Sequence, residues 1–376
     1  MAGPGIRAWH FAGELAKHFP TTLVARMEGA QTGVSVPHIQ GDVAQTLLSV
    51  HPWGSRDARE AMRDAAVLIG QPARGFHRLK ADQRIIYDLF DPVLLELREM
   101  YGRRPSLRQR LHFVAEEIRL QRAIDTGDLL ICATPNQREL YRSDRIIEVP
   151  FGAEQEALAD GRWPMAEEGR HGQRPTANGQ REDLIVWGGG TWEWLDPKTA
   201  VDAVVSLNKR GVSCRLLFLG RSRPNRALID RRRESRFDQL LAAGAPYVTA
   251  NAEWVPYRQR LSWLTRSKIA MMLHRSTAEA RYSIRTRLFD AIAAATPVIA
   301  TEEGFAAELV AQHGLGLVVP PSDAGAVAEA IERLLRDDVF HAVCVSNLER
   351  VRPQFAWPVV VQPLIETLNR WKQQRD

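Results

Sequence analysis

Two clusters in the second half of the chain have the side chains to hold a phosphorylated ligand. Gly188-Gly189-Gly190 follows an apolar strand pattern at residues 184–187 and precedes a helix start at Asp196-Pro197. Glycines there let a phosphate approach the backbone, and the helix N-terminus favours negative charge. The same run also suits a tight turn that needs positive φ. It is neither a Gly-x-Gly-x-x-Gly fingerprint nor a P-loop, because no Gly-Lys-Ser/Thr follows. The second cluster lies within residues 279–290, with Glu279, Arg285, Arg287 and Asp290. Arg285 and Arg287 fall near the start of a predicted helix, where cations oppose the helix dipole. A bound diphosphate would compensate them, and so would a local ion pair on a solvated surface. Asp290, one turn further on, is placed to accept both hydroxyls of a ribose.

The first half offers Asp88 and Asp91 at the end of a strand pattern, where open α/β sheets place their ligands. Asp91-Pro92 equally suits a helix cap. Arg231-Arg232-Arg233 and the arginines between 103 and 110 can meet lipid phosphate or nucleic acid, or form solvated faces. No zinc-finger or RNA-recognition pattern accompanies them, and the histidines show no metal-ligand spacing.

The elements that must carry these residues alternate between strand and helix in both halves. Strand patterns occupy 21–26, 65–70, 84–89, 129–134 and 146–150, then 184–187, 215–219, 268–273, 297–301 and 316–319. Helices are expected at 6–19, from Ser106, from Pro135, after Asp196, and at 285–295, 305–312 and 323–336. Ser106 with Gln109 forms a capping box. Leu107, Leu111, Val114 and Ile118 then recur at helical spacing as one apolar stripe. The alternation implies two parallel sheets covered by helices. Residues 161–182 are polar and rich in turn formers, which divides the chain into domains at 1–160 and 183–352. Residues 353–376 have helical spacing and are expected to cross back to the first domain. A doubly wound domain should begin with a strand, whereas Gly3-Pro4-Gly5 leads directly into a helix. A shortened start to the first domain is expected.

Composition excludes several classes. With 376 residues, 45% hydrophobic and 25% charged, the chain suits a folded protein of two domains rather than a disordered chain, a collagen-like repeat or a coiled-coil rod. The three cysteines are far apart and lack Cys-x-x-Cys spacing, which argues against a disulfide scaffold or structural zinc and suits a reducing compartment. No apolar run approaches a membrane span, and the N-terminus lacks a signal-peptide core. The net charge of +5 is compatible with an anionic surface or a phosphorylated ligand.

Residues 185–301 resemble the C-terminal domain of retaining family 4 (group 1) glycosyltransferases of the GT-B fold. The resemblance rests on Gly188-Gly189-Gly190 with Pro197-Lys198, on Leu217-Phe218-Leu219-Gly220, on Trp254-Val255-Pro256, and on the acidic helix at Asp290 followed by Pro297-Val298. Gly5-Ile6-Arg7, residues 88–92 and Val149-Pro150-Phe151-Gly152 are similar to a bacterial subgroup of the same enzymes. The family's paired glutamates, eight residues apart, fall here at Tyr282 and Asp290, and the arginine of its first donor loop is missing.

The resemblance implies two Rossmann-like domains facing a cleft. It also implies a retaining transfer from a nucleotide-diphosphate sugar without a required metal or other cofactor. Gly189, Gly190, Lys198, Arg285 and Arg287 would bind the diphosphate, Asp290 the ribose, and Trp254, Val255 and Pro256 the base. Glu279 and Asp88 are the candidate catalytic residues. The donor half has no Asp-x-Asp metal site. The acceptor is expected to be a carbohydrate, a lipid-linked molecule or a small molecule. A cytoplasmic location, with peripheral contact at the cytoplasmic face of the inner membrane, goes with this reading; nucleic acid does not. Two other readings stay open: another GT-B nucleotide-sugar enzyme such as an epimerase, and a nucleotide-sugar-binding protein without activity.

Overall fold

The computed structural model describes residues 3–25, 48–155, 181–220, 231–252, 255 and 259–374. The expected linker lies almost wholly outside them, as do Trp254 and Pro256. The chain forms two compact units. The first comprises the described residues within Met1–Leu94, Arg104–Gly152 and Trp357–Asp376; the second comprises those within Leu95–Arg103 and Ala153–Ala356.

In the first unit, the helix Gly3–Leu15 precedes β1 (Thr21–Ala25), which pairs in parallel with β2 (Leu48–Pro52). A separate parallel sheet holds β3 (Val67–Gly70), β4 (Arg84–Asp88), β5 (Leu129–Cys132) and β6 (Ile146–Glu148) in chain order. The strands of this half thus fall into two sheets among the described residues, where one was expected. Residues of β5 are buried throughout, which requires cover on both faces of its sheet. The last helices, Trp357–Val360 and Gln362–Gln373, belong to this unit. The Trp357 indole stacks on His10 at 4.3 Å and 6°. It also lies so close over Gly152 that a Cβ there would collide with it.

The second unit is built on a six-stranded parallel sheet: β7 (Glu182–Trp187), β8 (Arg215–Phe218), β9 (Val248–Ala250), β10 (Ser267–Met272), β11 (Val298–Thr301) and β12 (Gly316–Val319). Their order across the sheet is β12-β11-β10-β7-β8-β9. The chain therefore starts at the centre, winds outward to β9, and returns to β10 on the other side of β7. This doubly wound order has its switch point between β7 and β10, where open sheets bind ligands beyond the C-terminal strand ends. Asp196 caps the helix Pro197–Lys209 by accepting from the Thr199 amide at 3.2 Å. Val201, Val204 and Leu207 of that helix pack with Ile185, Leu216 and Ile331 in one core. No helix among the described residues is long and apolar enough to cross a membrane.

Candidate functional site

The loops after β7 and β10 are joined at the switch point. Asp196 N–H donates to the Leu273 carbonyl at 3.0 Å, and Arg275 N–H donates to the Trp194 carbonyl at 2.9 Å. Leu195 and His274 form an antiparallel bridge. These bonds fix Gly188-Gly189-Gly190 against the segment that follows β10.

None of the three glycines has positive φ, so turn strain does not explain them. What they provide is room. A Cβ on Gly188 would lie 3.6 Å from Arg287 Cδ, and one on Gly189 would lie 3.8 Å from Arg287 Cγ and Nε. The Arg287 side chain therefore lies across the glycine loop. Trp187 Nε1 donates to the Gly190 carbonyl at 3.1 Å. Trp192, stacked on Trp194 at 5.2 Å and 3°, brings its Nε1 to 3.2 Å from a Cβ on Gly190.

Arg287 opens the helix Arg287–Ala293, and Asp290 is also in its first turn. One terminal nitrogen of Arg287 donates to Asp290 Oδ2 at 2.8 Å, while Arg260 Nε donates to Oδ1 at 2.7 Å. Asp290 and Arg260 are buried. The carboxylate offsets Arg287 at the start of its own helix and Arg260 at the start of the helix Arg260–Arg266.

A second ion pair lies in the segment after β10. Glu279 is in the short helix Ala278–Tyr282, capped by Thr277, and is fully buried. Arg285 holds it through both terminal nitrogens, at 2.8 and 2.7 Å, and Ser283 Oγ donates to it at 2.6 Å. Arg285 Nε is buried without a partner among the described residues. His274 is buried nearby, and desolvation followed by the charge of Arg285 lowers its pKa to about 4. Its imidazole is therefore neutral near pH 7.

The structure brings Gly188, Gly189, Gly190, Arg287 and Asp290 together, and it pairs Glu279 with Arg285. Lys198 is not drawn into either group. It is exposed in the first turn of its helix and turned onto Asp202, whose hydrogen bond raises its pKa. Val255 is half-buried, with its N–H donating to the Leu219 carbonyl at 3.3 Å.

Asp88 lies in the first unit, in a buried pair with Arg7. Arg7 Nε and a terminal nitrogen reach its two oxygens at 2.8 and 3.2 Å. The same guanidinium donates to the Val149 and Pro150 carbonyls, at 2.8 and 3.0 Å, and sits 4.4 Å from the Phe11 ring centroid. Each oxygen of Asp88 thus accepts from the guanidinium that ties the first helix to the ends of β4 and β6. Asp91 accepts from Gln71 Nε2 at 3.2 Å.

Sequence reasoning missed Arg260, His274, Trp192, Trp194 and Arg7 as partners of the predicted residues. The Trp-x-Trp directly after the glycines was the visible signal for two of them. Arg260 lies thirty positions before Asp290 and has no local signature. Among the described residues, no group of three or more His, Cys, Asp or Glu side chains is gathered to hold a metal ion.

Residues 182–337 match the family described as glycosyl transferases group 1. No curated protein matches the sequence. Among solved structures, the chain is similar to sucrose-phosphate synthase of Thermosynechococcus elongatus, at a TM-score of 0.68 and 15% identity, over 99% of this chain and 94% of that one. It is similar to Anabaena HepE in complex with UDP and glucose, at a TM-score of 0.63 and 14% identity, over 96% and 95% of the two chains. A third likeness is to a UDP-forming α,α-trehalose-phosphate synthase of Burkholderia xenovorans, in complex with glucose-6-phosphate. That match has a TM-score of 0.54 and 12% identity, over 76% and 68% of the two chains. The architecture is the GT-B fold of these glycosyltransferases.

Proposed function

We propose that this chain, a glycosyltransferase by its group 1 domain at residues 182–337, moves a sugar from a nucleoside-diphosphate sugar to an acceptor with retention of anomeric configuration. The observation that carries this reading is Arg287, laid across the Gly188-Gly189 backbone at the switch point and oriented by Asp290. Bond cleavage leaves growing negative charge on the diphosphate, and a preoriented cation lowers the barrier by stabilising that charge. The guanidinium fork suits two phosphate oxygens better than a point charge does. The glycine backbone lets the phosphates approach closely.

Asp290 holds the guanidinium, and the ribose contact that the resemblance gives it would use the lone pairs left open beside its bonds from Arg260 and Arg287. Glu279 and Arg285 act as a fixed, buried pair that shapes the wall facing the sugar. Lys198 can reach a phosphate only by leaving Asp202, so Arg287 is the principal cation. Asp88 is assigned to the architecture of the first unit, where Arg7 donates to both of its oxygens.

No metal or other cofactor is required in this scheme, since cationic side chains meet the leaving group. The HepE complexes with UDP and with UDP-glucose make uridine diphosphate the first nucleotide to test. The acceptor belongs to polysaccharide, glycolipid or secondary-metabolite synthesis, and the enzyme works in the cytoplasm.

The test is product analysis with radiolabelled nucleotide sugars, with and without an acceptor panel. Label transferred only when an acceptor is present supports the proposal. Release or epimerisation of the sugar without acceptor would make the chain another nucleotide-sugar enzyme.

A further inference from the structure

Residues 191–195, directly after the glycines, carry two tryptophans in fixed positions. Trp194 is buried, and its backbone carbonyl accepts from Arg275 N–H in the segment after β10. Trp192 stacks on the Trp194 indole, with the ring centroids 5.2 Å apart and the planes 3° from parallel. The Trp192 carbonyl accepts from Leu195 N–H at 3.0 Å, so the backbone that carries the ring is held as well. Trp192 is nevertheless only half-buried and keeps part of its indole at the surface. A large ring with two rotatable bonds, backed by a second ring, loses little freedom when a ligand is placed on it.

The place of this ring along the loop is specific. Arg287 Cδ lies beside Gly188, and its Cγ and Nε lie beside Gly189, whereas the Nε1 edge of the Trp192 indole lies beside Gly190. Asp290 holds the far end of Arg287. The groups therefore run in the order Asp290, Arg287 with the glycine backbone, and Trp192. A nucleoside-diphosphate sugar runs in the same order: ribose, diphosphate, sugar. With the diphosphate on Arg287 and the glycines, the anomeric carbon is one bond from a phosphate oxygen, and the sugar falls at the Gly190–Trp192 end. A pyranose has C–H bonds on its ring faces and hydroxyls around its rim. The apolar face can cover an indole while the rim stays hydrogen-bonded.

We propose that Trp192 is the platform on which the donor's sugar lies, with one C–H face of the pyranose against the indole. The inference rests on the donor-site reading and adds to it the residue that reads the sugar. Trp194 is a positioning residue, since it fixes the plane of Trp192 from behind. Gly190 leaves room for the ring, because a Cβ there would lie 3.2 Å from Trp192 Nε1 and press on it. The nucleoside diphosphate ends before Trp192, so its own affinity should not depend on this ring. A ring that merely fills space beside the loop has a different signature: its removal would loosen the glycines and weaken the nucleoside diphosphate and its sugar conjugate together.

The test is calorimetric titration of the full chain, as wild type, Trp192→Ala and Trp192→Phe, with UDP, GDP and dTDP and with their glucose or mannose conjugates. For the nucleotide that wild type binds, Trp192→Ala should weaken the sugar conjugate about tenfold, the equivalent of ~1.4 kcal/mol, and change the nucleoside diphosphate by less than about twofold. Trp192→Phe keeps an aromatic face and should recover most of the loss. A second readout needs only the wild-type fold. In protein labelled with 5-fluorotryptophan, the one of its ten tryptophan resonances that Trp192→Phe lacks is that of Trp192. That fluorine signal should shift when the sugar conjugate is added and stay in place with the nucleoside diphosphate alone. The proposal falls if Trp192→Ala weakens the diphosphate and the conjugate equally, or weakens neither. It also falls if the diphosphate alone shifts the Trp192 signal as far as the conjugate does, since the base or a phosphate would then lie there. If wild type binds no nucleotide at all, the donor-site reading fails and takes this one with it; wild-type diphosphate binding with an indifferent Trp192 overturns the platform alone.

Discussion

Asp290 is held by two arginines in different settings, and this separates a structural from a ligand-binding role. The Arg260 side chain is 7% exposed, whereas that of Arg287 is 24% exposed and lies over the glycine loop. Arg260→Met removes one partner of a buried pair. Breaking such a pair costs about 3–5 kcal/mol, and the low end applies because Arg287 still faces the carboxylate. At about 2–4 °C per kcal/mol for a domain of this size, the second unit should melt about 6–12 °C lower. Arg287→Met leaves Asp290 paired with the buried Arg260 at 2.7 Å, so its stability cost should stay near ~1 kcal/mol. Its loss should appear in binding. A charge-assisted bond to phosphate is worth about 1.5–3 kcal/mol, or roughly a ten- to hundredfold fall in affinity for the nucleoside diphosphate. Scanning calorimetry and isothermal titration of both variants give the two numbers. If Arg287→Met melts as low as Arg260→Met and binds nucleotide like wild type, Arg287 is part of the frame and the donor-site argument fails.

Other outcomes follow from the same geometry. The His274 ring is held neutral, with its pKa lowered from 6.5 to about 4 by burial and by Arg285, so the unfolded chain takes up the extra proton. The stability this provides is complete above about pH 6.5 and is lost as pH falls towards 4, by on the order of 3 kcal/mol; urea titrations across that range should show the slope, and His274→Asn should flatten it. Burial pushes the Cys132 thiol up to about 12 and those of Cys214 and Cys344 to about 11. A thiol reagent at neutral pH should therefore label them only after denaturant is added, and rapid labelling of the native chain would contradict their placement. Glu279→Gln leaves the Arg285 guanidinium without its charge partner and should cost about 3 kcal/mol or more by chemical denaturation, whereas Ser283→Ala, which removes one bond to that carboxylate, should cost about half as much. Gly304 has φ +80 and its α-carbon faces the Ala280 carbonyl, so Gly304→Ala should destabilise the second unit by more than ~1 kcal/mol, read as a lower denaturation midpoint.

What could be read from the sequence was local. The strands 184–187 and 316–319, the Asp196-Pro197 start and the Ser106–Gln109 capping box all depend on neighbours within a few residues, and each is present. The partners of the predicted site residues were not legible. Arg7 meets Asp88 across 81 positions and Arg260 meets Asp290 across 30, and only tertiary packing brings them together. Periodicity also gave the apolar row on the helix from Ser106 without giving its direction, since a 3.6-residue repeat is the same whether it faces a core or solvent. The helices Arg231–Gly244 and Arg260–Arg266 escaped because one is dominated by charge and the other is only seven residues long.

The most direct test of the account is a calorimetric titration of the chain with UDP, GDP and dTDP and with their glucose or mannose conjugates, in buffer containing chelator. The account predicts saturable binding of one nucleoside diphosphate and its sugar to a single site, undiminished by chelator. The same ligand should raise the melting temperature by mass action. No saturable binding of any of them would contradict the placement of a nucleotide-sugar site at the β7–β10 switch point.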